Sequence, residues 1–409
     1  MFTRLSLLWS SARDSLWLIP SLLTGASVFL AVALVRFESW LDGEVPLSEF
    51  GLFFGSVAGA RAVLSTIAGS LITVTGVIFS VTIVALQLAS SQFSPRILRN
   101  FTADRTNQWV LGIFIGTFTY TLLVLRVVRS TDEGEVFVPQ IAVSLAIVLT
   151  LISIASLIRF IHHAARSVQA SVILERISSV ALGQIQRLFP DDLGDAAVEY
   201  DVNALRVGTA RPVTATTHGY LQAVDGNALF ELAVKRQIFV EMTKPIGAFL
   251  IQGETAAEIW SVEEVADETT AQIAQAFVLG DERTPDQDIE FFLLEISDIA
   301  VKSLSPGIND PTTAKHCIDR LGQLLAALGN RRPPEPHRTE HEKIHFLERP
   351  TRFDRALEVA FADVIHYGRD NPGIVARLRA VLETLANLLT QERAATLRTF
   401  IRVNLPAED

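Results

Sequence analysis

The chain of 409 residues is 49% hydrophobic with a mean hydropathy of +0.33, yet 20% of it is charged, so it fits neither an ordinary soluble protein nor a chain buried wholly in lipid. Residues 1–159 carry 10 basic and 9 acidic side chains and residues 160–409 carry 25 and 36, which gives the second part a net charge of −11. This acidic part lacks the basic surface that nucleic acid needs, and the single cysteine, Cys317, excludes a disulfide framework within the chain.

Four apolar segments are long enough to cross a bilayer as helices. They cover about residues 17–35, 62–89, 108–125 and 138–158. None contains Asp, Glu, Lys or Arg, and a hydrocarbon core of about 30 Å needs about 20 helical residues. The first segment lacks a small-residue cleavage site, so we expect it to be retained as a span. We predict a transmembrane domain over residues 1–160, in which residues 47–60 form an interfacial helix or extend the second span.

Charges alternate between the two sides of these spans. Arginines lie before the first span, between the second and third, and after the fourth: Arg4, Arg13, Arg96, Arg99, Arg105, Arg159, Arg166 and Arg176. The opposite side carries acids: Glu38, Asp42, Glu44, Glu49, Asp132, Glu133 and Glu135. Because basic residues concentrate on the cytoplasmic face, both termini are predicted to be cytoplasmic.

Uncharged polar residues recur along one face of the second span. They are Thr66, Ser70, Thr73, Ser80, Gln87 and Ser91, with Gly69 and Gly76 nearby. This face either packs against another helix or lines a water-filled path, and both interpretations hold together in an oligomer. The spans have no ionisable residue, which disfavours a carboxylate-driven pump but leaves a channel, a sensor or an anchor open. Gly112 and Gly116 in the third span indicate a close helix contact.

The cytoplasmic part is predicted to be an α+β domain. Residues 161–200 continue the fourth span as a helix that ends in an acidic linker at 189–201. Residues 201–262 form a small β-rich module, a barrel or a sandwich, with strands at 211–216, 220–224, 238–242 and 248–251 and a helix at 227–236. Gly247 and Gly253 bracket a predicted hairpin. Residues 263–409 are predicted to be helical, with helices at 262–279, 288–304 and 311–328 and two or three more over 351–403.

Two polar loops flank the helix predicted at 288–304. The first contains Arg283, Thr284 and Asp288, and the second contains Asn309 and Asp310. In the functional interpretation, Arg283 binds an anion or an interface carboxylate, and Asn309 and Asp310 contact a ligand or cation. In the structural interpretation, both loops cap helices, with Asp286 or Asp288 and Asp310 as caps. The intervening helix would hold the loops about 25 Å apart, so one compact site needs another element or subunit.

His337, His341 and His345 recur every four residues, a spacing that would align three imidazoles on a helix. The prolines before them and the β-like sequence IHFL after them disfavour a helix, so we predict a solvated loop and no metal site. His162 and His163 are predicted to be interfacial side chains. The sequence has no nucleophile elbow, phosphate-binding glycine loop or metalloprotease motif, and it predicts no cofactor or catalytic residue.

Two runs resemble a known family. Residues 60–101 (ARAVLSTIAGSLITVTGVIFSVTIVALQLASSQFSPRILRNF) and the segments ERTPDQD and SLSPGINDPTTA within residues 282–314 are similar to predicted bacterial membrane proteins grouped as domain of unknown function 2254. The resemblance spans nearly the whole chain and implies a bacterial inner-membrane location, without an established activity. The residues that fit its pattern are Arg283, Thr284, Asp288, Pro306, Gly307, Asn309, Asp310 and Pro311.

These patterns predict an oligomeric, channel-like or transport-related membrane protein. The second span would lie nearest the permeation path, and the cytoplasmic part would assemble or gate the oligomer. The alternative is a membrane-anchored sensor or scaffold that binds a small anion or a partner protein through its cytoplasmic domain. The expected partners are the lipid bilayer, further copies of the chain and a small ion or anion.

Overall fold

A computed structural model describes residues 15–41, 56–93, 104–129, 137–189, 201–332, 337–340 and 343–405. The chain forms two compact units. The membrane unit covers Leu7–Ser91 and Pro95–Gln169, and the C-terminal unit consists chiefly of Ala170–Asp409. Of the charged connections that predict the topology, those within residues 1–14, 42–55, 94–103 and 130–136 lie outside the described residues.

Within the described residues, the membrane unit contains four helices that are long and apolar enough to cross a membrane. They are α1 (Leu18–Leu41), α2 (Val57–Gln92), α3 (Arg105–Val127) and α4 (Gln140–Ser167). Each contains most or all of one predicted span and continues beyond it, because a hydropathy pattern identifies only the apolar part of a helix. Residues 57–60 belong to α2, which agrees with an extended second span, and residues 47–55 lie outside the described part of the chain.

The glycine pair of α3 lies against α1 within the same chain. A Cβ on Gly112 would lie 2.5 Å from Leu23 Cδ1, and one on Gly116 would lie 2.7 Å from Ser27 Oγ. A side chain at either position would force Leu23 or Ser27 to move, so the glycine pair permits this close helix contact, as its spacing indicates. Glu38, expected in a connection, instead lies buried in α1, where its carboxylate accepts hydrogen bonds from the first backbone N–H groups of α4, including Ala142 N at 3.2 Å.

The predicted continuous helix from the fourth span into the cytoplasmic domain is wrong. Helix α4 ends at Ser167, Val168 takes the C-cap position with φ −90° and ψ −4°, and α5 (Ala170–Leu188) begins after Gln169. No proline or glycine marks the break. The predicted linker lies largely at 190–200, outside the described residues.

The described part of the C-terminal unit contains two β-sheets. Its first elements in chain order are α6 (Val202–Leu205), β1 (Thr209–Thr214), β2 (Gly219–Val224), α7 (Gly226–Arg236), β3 (Phe239–Met242), β4 (Phe249–Leu250), β5 (Thr255–Ser261), α8 (Asp267–Gln275) and β6 (Phe277–Gly280). After two further helices come β7 (His337–Glu340) and β8 (Lys343–Leu347). One sheet has the order β1-β5-β3-β8-β7 and the other β4-β2-β6. All pairs are antiparallel except β3 with β8.

Buried side chains from both sheets form one hydrophobic core, as expected for a sandwich. Val213 and Ile259 come from the larger sheet, and Leu221, Leu250 and Phe277 from the smaller one. The β structure therefore extends beyond residues 201–262.

Two local predictions in this region are wrong. Residues 262–279 form α8 and β6 instead of one helix, because a short apolar run fits a strand as well as a helical turn. The hairpin predicted around Gly247 and Gly253 is also wrong, since β4 lies in the smaller sheet and its chain neighbours β3 and β5 lie in the larger one.

The helical part of the C-terminal unit agrees with the predicted pattern. It contains α9 (Ile289–Ser303), α10 (Pro311–Gly329), α11 (Phe353–Gly368), α12 (Pro372–Leu388) and α13 (Gln391–Asn404). Helix α9 packs against α5, α10 and α11, and α10 also contacts α12. Buried residues at helical spacing, such as Ile296, Ile299, Leu321 and Leu325, form these contacts. The chain thus has four apolar helices followed by a domain of small sheets and a helical C-terminal part.

Candidate functional site

The polar face of α2 points away from the rest of the membrane unit. Its six members, Thr66, Ser70, Thr73, Ser80, Gln87 and Ser91, are all exposed in the single chain. The buried residues Leu64, Leu71 and Ile78 lie about half a turn away on the opposite face. A Cβ added to Gly69 or Gly76 would meet no atom within 4 Å. Packing inside the chain therefore does not account for this face in the part that the structure describes.

Four hydroxyl groups of this face, those of Thr66, Ser70, Thr73 and Ser91, have backbone partners. They donate to carbonyl oxygens three or four residues earlier, at 2.8 Å from Thr66, 3.0 Å from Ser70 and 2.9 Å from Thr73. Each hydroxyl oxygen keeps its lone pairs available as acceptors. These four hydroxyl groups can therefore contact lipid, water or another helix without an unsatisfied donor. The function of the face as a permeation surface stays a prediction.

In the C-terminal unit, Arg283 forms an ion pair beneath the start of α9. Its Nε lies 2.7 Å and its Nη2 2.6 Å from Asp288 Oδ2, and Nη2 lies 3.7 Å from Glu290 Oε2. Only 15% of the Arg283 side chain and 1% of the Asp288 side chain are exposed. Asp288 Oδ1 accepts a hydrogen bond from Phe291 N at 3.2 Å, so Asp288 is the N-cap of α9. Thr284 is half-buried, and its Oγ1 has no hydrogen-bond partner among the described residues.

Burial dominates the electrostatics of this pair. It raises the pKa of the Asp288 carboxyl, and the charge of Arg283 opposes that rise. Burial likewise raises the pKa of Glu290, and the neighbouring Asp288 adds to this effect. The guanidinium group of Arg283 thus lies beside two poorly solvated carboxyl groups. Loss of Arg283 would leave both without this charge partner and lower the free energy of unfolding.

The second polar loop caps a helix at the far end of α9. Asp310 Oδ1 accepts hydrogen bonds from Thr312 N and Thr313 N, both at 3.1 Å, and Thr313 Oγ1 donates to Oδ2 at 2.6 Å. Pro311 occupies the first turn of α10, as predicted. Asn309 is exposed and has a left-handed backbone with φ +48°. Because the loops lie at opposite ends of α9, they do not form one site within this helix pair.

A cleft of about 690 Å³ lies over the Arg283 ion pair, and we call it the arginine cleft. Its charged lining residues are Arg206, Arg283, Arg349, Arg352, Arg355, Glu241, Glu290 and Glu348. Arg206 binds Glu241 through two hydrogen bonds of 2.9 Å. Of these residues, sequence reasoning singled out only Arg283. Arg349, Arg352 and Arg355 recur every three residues in an acidic domain. This spacing could have predicted the arginine cluster at the cleft.

The three regularly spaced histidines do not share one helix in the part of the chain that the structure describes. His345 is buried in β8, not in a solvated loop, and its Nδ1 lies 3.2 Å from Ile238 O. His337 lies in β7, and His341 is outside the described residues. The described parts contain no group of three or more His, Cys, Asp or Glu residues arranged to hold a metal ion. In the membrane unit, His163 Nε2 lies 3.0 Å from Asp104 Oδ2, a partner that the sequence did not predict.

Comparison with known proteins gives family membership. The family of predicted membrane proteins described as domain of unknown function 2254 matches residues 13–384. Uncharacterized protein Rv1290c of Mycobacterium tuberculosis and uncharacterized protein Mb1321c of Mycobacterium bovis are each 31% identical to this chain over 413 residues, covering 98% of it and 77% of each relative. No solved structure matches the chain. Together with the four apolar helices, these matches show that the chain belongs to the membrane protein family known as domain of unknown function 2254.

Proposed function

We propose that this protein is an oligomeric, channel-like protein of the bacterial inner membrane, with both termini in the cytoplasm. The observation that carries the proposal is the exposure of the polar face of α2 opposite the buried face of the same helix. A second copy of the chain, or a water-filled path between copies, is a better environment for that face than acyl chains. The proposal joins the two interpretations of the polar face, packing and permeation, in one assembly.

The cost of lipid exposure supports this assembly. Gln87 carries a carboxamide with two donors and two acceptor lone pairs, and a polar group of this kind is costly to place in hydrocarbon. Gly69 and Gly76 leave grooves that a neighbouring helix can fill at close range. With 36 residues, α2 is about 54 Å long, so it exceeds a hydrocarbon core of about 30 Å.

The C-terminal unit would assemble or gate the oligomer. The chain passes from α4 to α5 through only Val168 and Gln169. A connection of two residues leaves little slack, so a displacement of α5 transmits force to the end of α4. In this proposal, the two-residue connection has the role that the sequence assigned to a continuous helix.

Electrical recording from the full-length protein in planar bilayers tests the proposal. We expect ion conductance, and we expect Thr73→Val, which removes one hydroxyl from the polar face at nearly constant volume, to change the unitary conductance. Thr82→Val is the matched control, since Thr82 lies on the same helix but is buried within the chain. Absence of conductance from intact oligomers in every salt, or equal effects of both variants, would contradict the assignment.

A second candidate function is a membrane-anchored sensor or scaffold that binds a small anion through the C-terminal unit. The arginine cleft is the observation that favours it, because five guanidinium groups meet three carboxylates among its lining residues. A sensor does not require ion conduction. The bilayer recording therefore distinguishes the two functions, since only the channel-like protein should conduct.

A further inference from the structure

We propose that the arginine cleft binds a small organic phosphate, that is, a molecule with a phosphate group and an apolar portion. This inference rests on the second candidate function, which it deepens by naming the ligand class. It does not depend on conduction by α2.

The cleft has more hydrogen-bond donors than acceptors. Among the described residues, Arg349 donates one hydrogen bond, from Nε to Met242 O at 2.8 Å, and its Nη2 is 4.0 Å from Glu241 Oε1. Arg355 bonds Glu358 Oε2 through Nη1 at 3.2 Å, and its Nε is 3.9 Å from Glu290 Oε2. A guanidinium group has five N–H donors, so both arginines keep donors for a ligand. Planar pairs of such donors match phosphate oxygens.

Each carboxylate of the cleft lies beside at least one arginine. Both oxygens of Glu241 accept hydrogen bonds from Arg206, and Glu348 pairs with Arg338 at 2.9 Å. Glu290 lies at the floor beside Arg283 and is only 11% exposed. The acids are buried deeper than Arg349 and Arg355, whose side chains are 52% and 58% exposed. An entering anion therefore meets guanidinium groups first.

The start of α11 adds to this electropositive character. Thr351, Arg352 and Arg355 line the cleft, and the side chain of Arg352, the N-cap residue, does not cap α11. The positive end of the helix dipole favours anions, and the Asp354 carboxylate already accepts a backbone hydrogen bond from Arg355 in this turn. Asp354 in the same turn pairs with Arg352 at 2.9 Å, so a phosphate would compete with an exposed carboxylate for that arginine.

The size and the walls of the cleft argue for an organic ligand over a bare ion. Its volume of about 690 Å³ exceeds what one phosphate fills and lies in the range of small-molecule sites. Ile246, Leu347 and Pro350 provide apolar lining. A soluble phosphate ester and a phospholipid headgroup share this chemistry, and the experiment below separates them.

Isothermal titration calorimetry of the full-length protein in a non-ionic detergent tests the proposal, with inorganic pyrophosphate as the probe for the phosphate group. Phenyl phosphate is the probe for the apolar portion, and it should bind more tightly than inorganic phosphate; equal affinities would overturn the assignment of an organic ligand. We expect saturable binding of pyrophosphate that Arg349→Gln weakens about tenfold, the loss expected for one charge-assisted hydrogen bond. The affinity of Arg349→Lys for pyrophosphate should lie between those of Arg349→Gln and the native protein. Lysine keeps the positive charge but lacks the planar pair of N–H donors of a guanidinium group. Arg398→Gln is the matched control, since Arg398 is exposed on α13 away from the lining residues. An unchanged melting temperature for each variant shows that the fold is intact.

Two reconstitutions separate the sources of phosphate. If a lipid headgroup is the occupant, nanodiscs containing phosphatidylglycerol should suppress pyrophosphate binding that nanodiscs of phosphatidylcholine allow. If the ligand is soluble, both nanodiscs should give the same titration. No binding of pyrophosphate, or equal binding by Arg349→Gln and Arg398→Gln, overturns the proposal. Binding of citrate in place of pyrophosphate, with the same dependence on Arg349, overturns the phosphate assignment while the sensor function stands.

Discussion

Gly247 lies where the backbone passes directly over the Arg283–Asp288 ion pair. Its φ is +85°, and an added Cβ would lie 2.5 Å from Arg283 Nη2 and 2.8 Å from Arg283 Cζ. We predict that Gly247→Ala lowers the free energy of unfolding by about 3 kcal/mol, of which about 1 kcal/mol is backbone strain and the rest displacement of the buried pair. Urea unfolding in detergent, followed by tryptophan fluorescence, measures this loss.

Gly253 is the control for that prediction. Its φ of +87° matches that of Gly247, but a Cβ there would meet nothing within 4 Å. Gly253→Ala should therefore cost only the backbone strain, about 1 kcal/mol. Equal losses for the two variants would show that the ion pair accommodates a methyl group and that strain alone makes glycine necessary.

At the scale of single elements, the cap of α10 makes stability depend on pH. The hydrogen bond from the Thr313 hydroxyl is the main cause that lowers the pKa of Asp310. A carboxyl group whose pKa is lower in the folded state contributes stability that is fully present above its unfolded pKa of about 3.9 and is lost as the pH falls through its folded pKa. The contribution is therefore complete at neutral pH and disappears in acid.

We predict that Asp310→Ala lowers the free energy of unfolding by about 1 kcal/mol at pH 7, the usual value of a helix cap. The difference from the native protein should shrink below pH 4, because the unfolded carboxyl group then binds a proton that the folded one, with its lower pKa, does not. Thermal unfolding of both proteins between pH 3 and pH 7 measures this difference. Asp310→Asn keeps a capping acceptor and should retain much of the stability at pH 7. A difference that stays constant over this pH range would mean that the charge of Asp310 does not contribute.

The elements that the sequence predicts correctly are those with long periodic patterns. The four apolar helices and α9 to α13 show this, and so do the caps Asp288 and Asp310, whose partners lie within three residues. Strand β6 has four residues and pairs with β2, and β8 pairs with β3 across about one hundred residues. The local sequence pattern does not show which strand β6 or β8 pairs with. Whether these short segments form strands therefore depends on tertiary contacts. The break after Ser167 contains no proline or glycine, so the local sequence does not mark it.

At the scale of the whole molecule, the arginine cleft shows why a site is harder to predict than a helix. Arg206, Arg283 and Arg349 come from three segments spread over about 140 residues, and the fold of the C-terminal unit brings them to one cavity. The sequence marks Arg283 through its motif, but only the structure shows that this residue is held by buried acids and that Arg349 and Arg355 are the accessible partners. For this reason Arg349, not Arg283, is the residue to change in a binding experiment.

The proposed topology gives a prediction for the intact chain. The two ends of α2 should lie on opposite sides of the membrane, with Ser56 outside and Gln92 in the cytoplasm, because arginines concentrate on the side of Gln92. A membrane-impermeant maleimide applied to whole cells should label Ser56→Cys but neither Gln92→Cys nor Thr399→Cys. After the cells are lysed, the maleimide should also label Gln92→Cys and Thr399→Cys. The native Cys317 gives little background, since it is buried and burial raises the pKa of its thiol, which keeps the reactive thiolate scarce. Labelling of Thr399→Cys in intact cells would place the C-terminal unit outside, where a cytoplasmic phosphate could not reach the arginine cleft.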